Sequence, residues 1–240
     1  MIRTVPETGS TNADLAASLR CGEAVREGAW LVADRQTAGR GRQGRTWFDG
    51  NGNFMGSTVV RLKPRDPAPA SLALLAGLAL YEAVVPLLRN PHELSLKWPN
   101  DLLLSGAKLA GILLEREGDA IIVGIGVNLA AAPDLPDRRT VALSQFGPPP
   151  ERDSFAEALA ARFDTELERW RNFGLAPIVR RWESVAHPKG EMLKVHPPGE
   201  EPITAAFDGL TEEGMLILRL ASGATRVIHA GDVMLASEEG

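Results

Sequence analysis

Residues 94–115 read LSLKWPNDLLLSGAKLAGILLE. Three apolar runs of strand length are separated here, first by KWPND at 97–101 and then by the turn dipeptide Ser105-Gly106. Proline at 99 lacks a backbone donor and interrupts strand pairing. The pattern therefore gathers Lys97, Asn100 and Asp101 at a break between two hydrophobic segments and sets Lys108 near the start of the third run. A further strand over 120–127 ends in GIGVN at 124–128. Its apolar residues point to burial and its glycines to close backbone approach. Asn128 reads equally as a turn asparagine or as a reader of an amide-like edge.

Upstream, residues 34–47 read DRQTAGRGRQGRTW. Arg35, Arg40, Arg42 and Arg45 stand against a chain of formal net charge -5. Arginine offers a planar fork of donors for carboxylate and phosphate oxygens, and the intervening glycines let a ligand approach the main chain. The stretch reads as an anion clamp or as a solvated basic loop. It also spells G-x-G-x-x-G, but that fingerprint requires a helix to open from it. The following TWFDGNGNFMGSTVVRL has no helical period and runs into a strand over 53–62. No GxxxxGK[ST] loop occurs.

A chain of 240 residues has room for one large domain and a small appendage. Hydrophobic content of 44% and charged content of 24% are those of an ordinary globular protein with a real core. The single cysteine, Cys21, excludes an intrachain disulfide and thiolate-rich metal sites, and reads as a small packing residue. No signal pattern opens the chain, and the apolar run over 72–85 is short for a bilayer. Cytoplasmic residence is expected, with no membrane partner and no general affinity for nucleic acid.

The remaining elements are a strand over 1–5, a helix over 13–21 behind the capping run Ser10-Thr11-Asn12, and a strand over 30–33. Helices are expected over 70–88, ended or kinked by Pro86, over 154–171 with Phe155, Leu159, Phe163 and Leu167 every fourth residue, and over 178–185. From residue 190 onward short alternating runs (192–195, 203–207, 215–220 and 225–228) suggest a small β-barrel. The domains expected are 1–188 and 189–240.

Taken together, GSTN at 9–12, QTAGRGRQGRTW at 36–47, KWPND at 97–101, KLAGILLE at 108–115 and GIGVN at 124–128 resemble the biotin–protein ligases. The order and spacing agree, and the similarity continues into the C-terminal β region. The resemblance implies an α+β fold: a mixed β-sheet with helices on one side, of class II synthetase type, then an SH3-like barrel. It implies activation of biotin with MgATP to biotinyl-5′-AMP and transfer of biotin to a lysine of a biotin carboxyl carrier domain, of acetyl-CoA carboxylase or a related carboxylase. Lys108, Arg40 and Asp101 are then the catalytic candidates, with Asp101 orienting or deprotonating the carrier lysine. Ser10, Thr11, Asn12, Gln36, Arg40, Gly41, Arg42, Lys108 and Gly111 are assigned to biotin. Arg42, Arg45, Trp47, Lys97, Asn100 and Asn128 are assigned to ATP and the adenylate. Mg²⁺ is expected on the phosphates and not on protein side chains.

GSTN begins at residue 9, so the helix-turn-helix domain that some relatives carry is not expected, and a homodimer is possible. Lipoate or octanoate ligases share the core fold, so fold alone does not decide the acid. A nucleic-acid binder is disfavoured by the dispersal of the other basic residues. A noncatalytic biotin binder is disfavoured by the presence of both lysines and Asp101. The glycines and like charges of the arginine loop predict that biotin orders it before ATP binds. Limited proteolysis should then show the loop protected by biotin; equal cleavage with and without biotin contradicts the prediction.

Overall fold

The segment 94–115 forms one end of a mixed sheet in the computed structural model, which describes residues 1–235. Strand β4 (Leu94–Lys97) turns at residues 98–100 into β5 (Asp101–Leu104). Ser105 and Gly106, both at positive φ, then turn it into β6 (Ala107–Glu117). Two such residues in succession make the turn whose twist matches an antiparallel pair. With β1 (Ile2–Thr8), β2 (Trp30–Gln36), β3 (Phe54–Arg61) and β7 (Ala120–Val127) the sheet order is β1-β2-β3-β7-β6-β5-β4. Only β1 and β2 pair in parallel, and the helix α1 (Thr11–Arg20) makes the crossover that a parallel pair requires.

Adjacent strand residues face opposite ways, and two apolar clusters record the two faces. Val59 of β3 and Ile122 of β7 join Leu31 and Leu15 beneath α1. Their neighbours Val60, Ile121 and Val123 belong to the main core. There the sheet meets α2 (Leu72–Val84), α3 (Arg152–Phe173) and α4 (Ala176–Ser184). Three of the four helices thus share one face, and α1 covers part of the other. Phe155, Leu159, Phe163, Leu167 and Trp170 form the buried stripe of α3, and the Trp170 indole donates to Ser71 Oγ at 2.8 Å at the entry to α2.

Two readings need correction. The helical run Pro69–Leu87 spans 19 residues with mean hydropathy 1.8, long and apolar enough to cross a bilayer, whereas the run read from sequence was shorter. Its apolar side chains are largely packed between the sheet and α3 and α4, as in the core helix of a globular fold. Cys21 is exposed at the end of α1 and is not a packing residue. Leu15 and Leu19 set the apolar stripe of that helix, and a position two residues past Leu19 lies about 200° around the axis.

Past α4, β8 (Met192–His196), β9 (Ile203–Leu210), β10 (Leu216–Arg219), β11 (Thr225–Ile228) and β12 (Asp232–Leu235) form an antiparallel sheet ordered β11-β10-β9-β8-β12. The sequence reading missed β12, whose four residues follow the turn at His229–Gly231 without a long alternating run. Leu193, Val195, Phe207 and Leu218 continue the apolar cluster of the large sheet, so the two β-layers share one core.

His187 sits in the connection between them, 5% exposed, its ring 4.4 Å from that of Phe207. Neither ring nitrogen has a hydrogen-bond partner among the described residues. Burial, reinforced by the Lys97 charge, lowers its pKa from 6.5 to about 4. The unfolded chain therefore takes up a proton that the folded chain refuses. Stability is full above pH 6.5 and falls as pH drops toward 4, by about 3 kcal/mol in all for this group. Thermal unfolding followed at pH 7 and pH 5 should show a smaller acid-induced drop in Tm for His187→Gln than for the native chain; an equal drop would remove His187 as the cause.

Candidate functional site

The sheet face that holds α1 is open beyond the helix N-terminus, and a cavity of about 1040 Å³ occupies it. Its floor is made by Ser57, Gly124, Gly126 and Gly111 from three adjacent strands. The glycines are required there by contact. A Cβ on Gly126 would lie 2.2 Å from the Trp47 ring, and one on Gly124 would lie 2.3 Å from Asn12 Oδ1. Gly111 pairs with Gly126 across β6 and β7, so the Trp47 indole packs against two residues without side chains. Its Nε1 is buried without a partner among the described residues.

At one end of the cavity Ser10, Thr11, Asn12, Gln36 and Ser57 are all buried. Ser10 caps α1, so the helix begins at the cavity wall. Gln36 Oε1 accepts from the Thr11 backbone N–H at 2.7 Å. Thr11 and Ser57 hydroxyls meet at 2.6 Å, and Ser57 donates to Asn12 Oδ1 at 2.6 Å. Asn12 Nδ2 donates to Glu115 Oε2 at 2.6 Å. This buried set satisfies itself and still leaves amide groups of Gln36 and Asn12 with capacity for a polar ligand.

At the other end Asp101 is clamped by two ammonium groups, Lys108 at 2.6 Å and Lys97 at 3.3 Å. Burial pushes the Asp101 carboxyl up, but the charges of Lys108 and Lys97 and their hydrogen bonds outweigh it and bring its pKa to about 2. A carboxylate held so low is a weak proton acceptor at neutral pH, and its arrangement suits orienting cations. Lys97 also donates to the Val233 carbonyl at 2.9 Å, which ties β4 to β12. A register shift in β6 delivers Lys108. Leu102 faces Ala110 but Leu103 faces Lys108, which leaves Leu109 as an extra residue. Without that bulge Lys108 and Gly111, three positions apart, would point to opposite faces. Instead a Cβ on Gly111 would lie 3.2 Å from Lys108 Nζ, and Nζ stands 5.8 Å over the Trp47 ring.

The arginine loop folds over the mouth between them. Gly41 N–H donates to Arg45 O, Trp47 N–H donates to Gly39 O, and Arg40 bridges Thr46. Gln43 and Gly44 turn the chain at positive φ. Arg42 donates to Asn100 Oδ1 and to the Gly231 carbonyl, each at 3.3 Å. Arg45 pairs with Asp232, which also stands 3.8 Å from Arg42. Arg40 has no ion pair among the described residues and faces the cavity. Arg35 points elsewhere and pairs with Glu7 and Asp49. Arg42 is thus the half-buried member of the loop, while Arg40 and Arg45 border the cavity and remain exposed to solvent.

Every residue named above for catalysis, biotin or ATP borders this one cavity. Asn128 is 2% exposed; its Nδ2 donates to the Val141 carbonyl at 3.1 Å and its Oδ1 is buried without a partner among the described residues. It joins the end of β7 to the loop that carries Arg138 and Thr140 into the cavity wall. Sequence reasoning missed Ser57, Glu115, Arg138 and Asp232. Ser57 and Glu115 lie in strands whose facing direction was the only available signal, and Asp232 lies in the unforeseen β12.

The Biotin/lipoate A/B protein ligase family model matches residues 8–129, and the Biotin protein ligase C terminal domain model matches residues 194–235. A biotin–[acetyl-CoA-carboxylase] ligase of Paracoccus denitrificans is 38% identical over 94% of this chain and 97% of its own length. One from Mycobacterium tuberculosis is 36% identical over 96% and 87%. The biotin protein ligase of Aquifex aeolicus, solved in complex with biotin and ATP, superposes with a TM-score of 0.85 at 30% identity, covering 98% and 97% of the two chains.

Asp232→Ala should release Arg42 and Arg45 from the C-terminal sheet. Trypsin should then cut after Arg40, Arg42 or Arg45 several-fold faster than in the native chain. Unchanged cleavage would mean that the loop's own backbone hydrogen bonds hold it closed.

Proposed function

The chain belongs to the biotin/lipoate A/B protein ligase family, and we propose from that premise how its own residues carry the chemistry. It activates biotin with ATP to biotinyl-5′-AMP, releasing pyrophosphate, and then transfers biotin to a lysine of a biotin carboxyl carrier protein. The observation that supports biotin over the dithiolane of lipoate or the alkyl chain of octanoate is the buried set Thr11, Asn12, Gln36 and Ser57. A ureido ring has two N–H donors and a carbonyl to satisfy such groups. An apolar end would offer nothing to the Gln36 NH₂ and the spare Asn12 Oδ1 lone pair, and a buried polar group left without a partner costs about 1–3 kcal/mol.

In the first step an oxygen of the biotin carboxylate attacks the α-phosphorus, and the bond to the bridging oxygen breaks as pyrophosphate departs. Both reactants are anionic. Arg40, Arg42 and Lys108 reduce their repulsion and meet the charge that builds at the carboxylate and α-phosphate oxygens. Asp101 holds Lys108 in line. Arg45 and Lys97 extend the positive field toward the leaving group, while Trp47, Asn100 and Asn128 line the nucleotide portion. In the second step the neutral amine of the carrier lysine attacks the acyl carbon, AMP leaves with the bonding pair, and the amine proton is given up to solvent. With its pKa about 2, Asp101 serves as the orienting partner of the two site lysines in this step and does not carry off the amine proton. The carrier is the carboxyl carrier domain of acetyl-CoA carboxylase or a related carboxylase.

The cavity carboxylates are poorly placed to take Mg²⁺ themselves. Each cavity carboxylate is already matched by cations: Asp101 by Lys97 and Lys108, Asp232 by Arg42 and Arg45, Asp137 by Arg138. No cluster of three potential ligands occurs among the described residues. Mg²⁺ would arrive on the triphosphate, as is usual for this ion.

ATP–pyrophosphate exchange with biotin, lipoate or octanoate as the only acid tests the reading. Exchange is expected with biotin, and Lys108→Ala should lower its rate by about 100-fold or more, the scale for losing one oriented transition-state donor. Exchange with lipoate or octanoate in place of biotin would reassign the acid.

A further inference from the structure

Glu115 lies one strand position pair beyond the cavity floor, on the same face of β6 as Gly111 and Leu113. No arginine or lysine pairs with it among the described residues, and its hydrogen bond is to Asn12 Nδ2, at 2.6 Å. Two residues along, Glu117 pairs with Arg20 at 2.8 Å, so β6 grips α1 at both helix ends. The second contact lies at the surface. The first reaches the buried polar set and has a directional consequence.

We propose that Glu115 is a positioning residue that fixes the amide of Asn12, and through it the direction of the hydroxyl relay from Thr11 to Ser57, so that the cavity presents an acceptor to a ligand N–H. This rests on the reading of the cavity as the biotin site. A carboxylate only accepts, so the Asn12 NH₂ must face Glu115 and the Asn12 carbonyl must face away. That carbonyl lies over Gly124 in the cavity floor and takes the Ser57 proton at 2.6 Å. Having donated to Asn12, Ser57 can only accept from the Thr11 hydroxyl, whose single proton has Ser57 Oγ at 2.6 Å and Gln36 Oε1 at 3.0 Å within reach; the shorter oxygen–oxygen contact needs it. Gln36 is set independently: its Oε1 accepts from the Thr11 backbone N–H, which leaves its NH₂ as a donor. One anionic side chain thus orients three others, Asn12, Ser57 and Thr11. Asn12 Oδ1 keeps one lone pair for the ligand, and the matching ligand group is a urea N–H.

Glutamine and lysine at position 115 separate orientation from packing. Glu115→Gln still offers a carbonyl to the Asn12 NH₂ and keeps the direction. Glu115→Lys only donates, so it draws the Asn12 carbonyl toward itself and turns the NH₂ into the cavity. In biotin-dependent ATP–pyrophosphate exchange, Glu115→Gln should keep the KM for biotin within about threefold, and Glu115→Lys should raise it by about tenfold or more. For both, the KM for ATP and the kcat at saturating biotin should stay near native, a split that general loosening of the fold does not produce. Should Glu115→Lys fail to fold by thermal melting, Glu115→Leu carries the same test, with a rise in biotin KM expected from an amide free to take either orientation. A biotin KM within about twofold of native in the folded Lys or Leu variant, or a Gln variant as impaired as the Lys variant, overturns the proposal. Failure of the underlying reading would appear separately, as a native protein that gives no exchange with biotin.

Discussion

The site depends on one buried carboxylate. Asp101 opens β5, yet its two oxygens reach lysines from β4 and β6, and one of those lysines continues to a carbonyl of β12. Three strands of the large sheet and one of the small sheet therefore meet at a single negative charge. Removing that charge would leave buried ammonium groups without compensation, a loss of about 3–5 kcal/mol for a buried pair. The same arrangement gives the cavity its polarity. Two cations are held at one spot at low electrostatic cost, and their field remains available to an incoming carboxylate or phosphate.

The second constraint is the uncovered face of the sheet. Three helices take one side, and α1 covers only part of the other. A bare sheet face is ordinarily lined by alternating side chains, but here Gly111, Gly124 and Gly126 keep it low. Trp47 can therefore lie against the strands, and Asn12 can reach over them. The cavity runs from a polar end of hydroxyls and amides to a cationic end around Lys108, which matches a molecule with a neutral hydrogen-bonding head and an anionic tail.

The C-terminal sheet belongs to this site as well as to the core. Gly231, Asp232 and Val233 meet Arg42, Arg45 and Lys97, so the anion loop and the KWPND turn are both anchored to β12. This couples the small β-layer to the cations that border the cavity. The coupling is electrostatic at the cavity mouth and apolar beneath it, where Phe207 and His187 close the shared core.

The sequence alone determined the strands and helices of the large sheet, because periodicity, Pro99, the Ser105-Gly106 turn and the alanine–leucine run act locally. Its motifs also picked out Ser10, Gln36, Arg42, Lys97, Asp101 and Lys108 among the residues that border the cavity, though not Ser57, Arg138 or Asp232. It did not determine which way those side chains face. Lys108 reaches the cavity only because one extra residue in β6 reverses the alternation. Glu115 and Ser57 become partners of Asn12 and Thr11 only when α1 lies across β3, β7 and β6. Asp232 meets Arg45 across 187 positions of chain. Such contacts are set by the packing of whole elements, and no local pattern in the chain encodes the distance between side chains that far apart. The tertiary structure alone decided them, together with the direction in which the buried hydrogen bonds run.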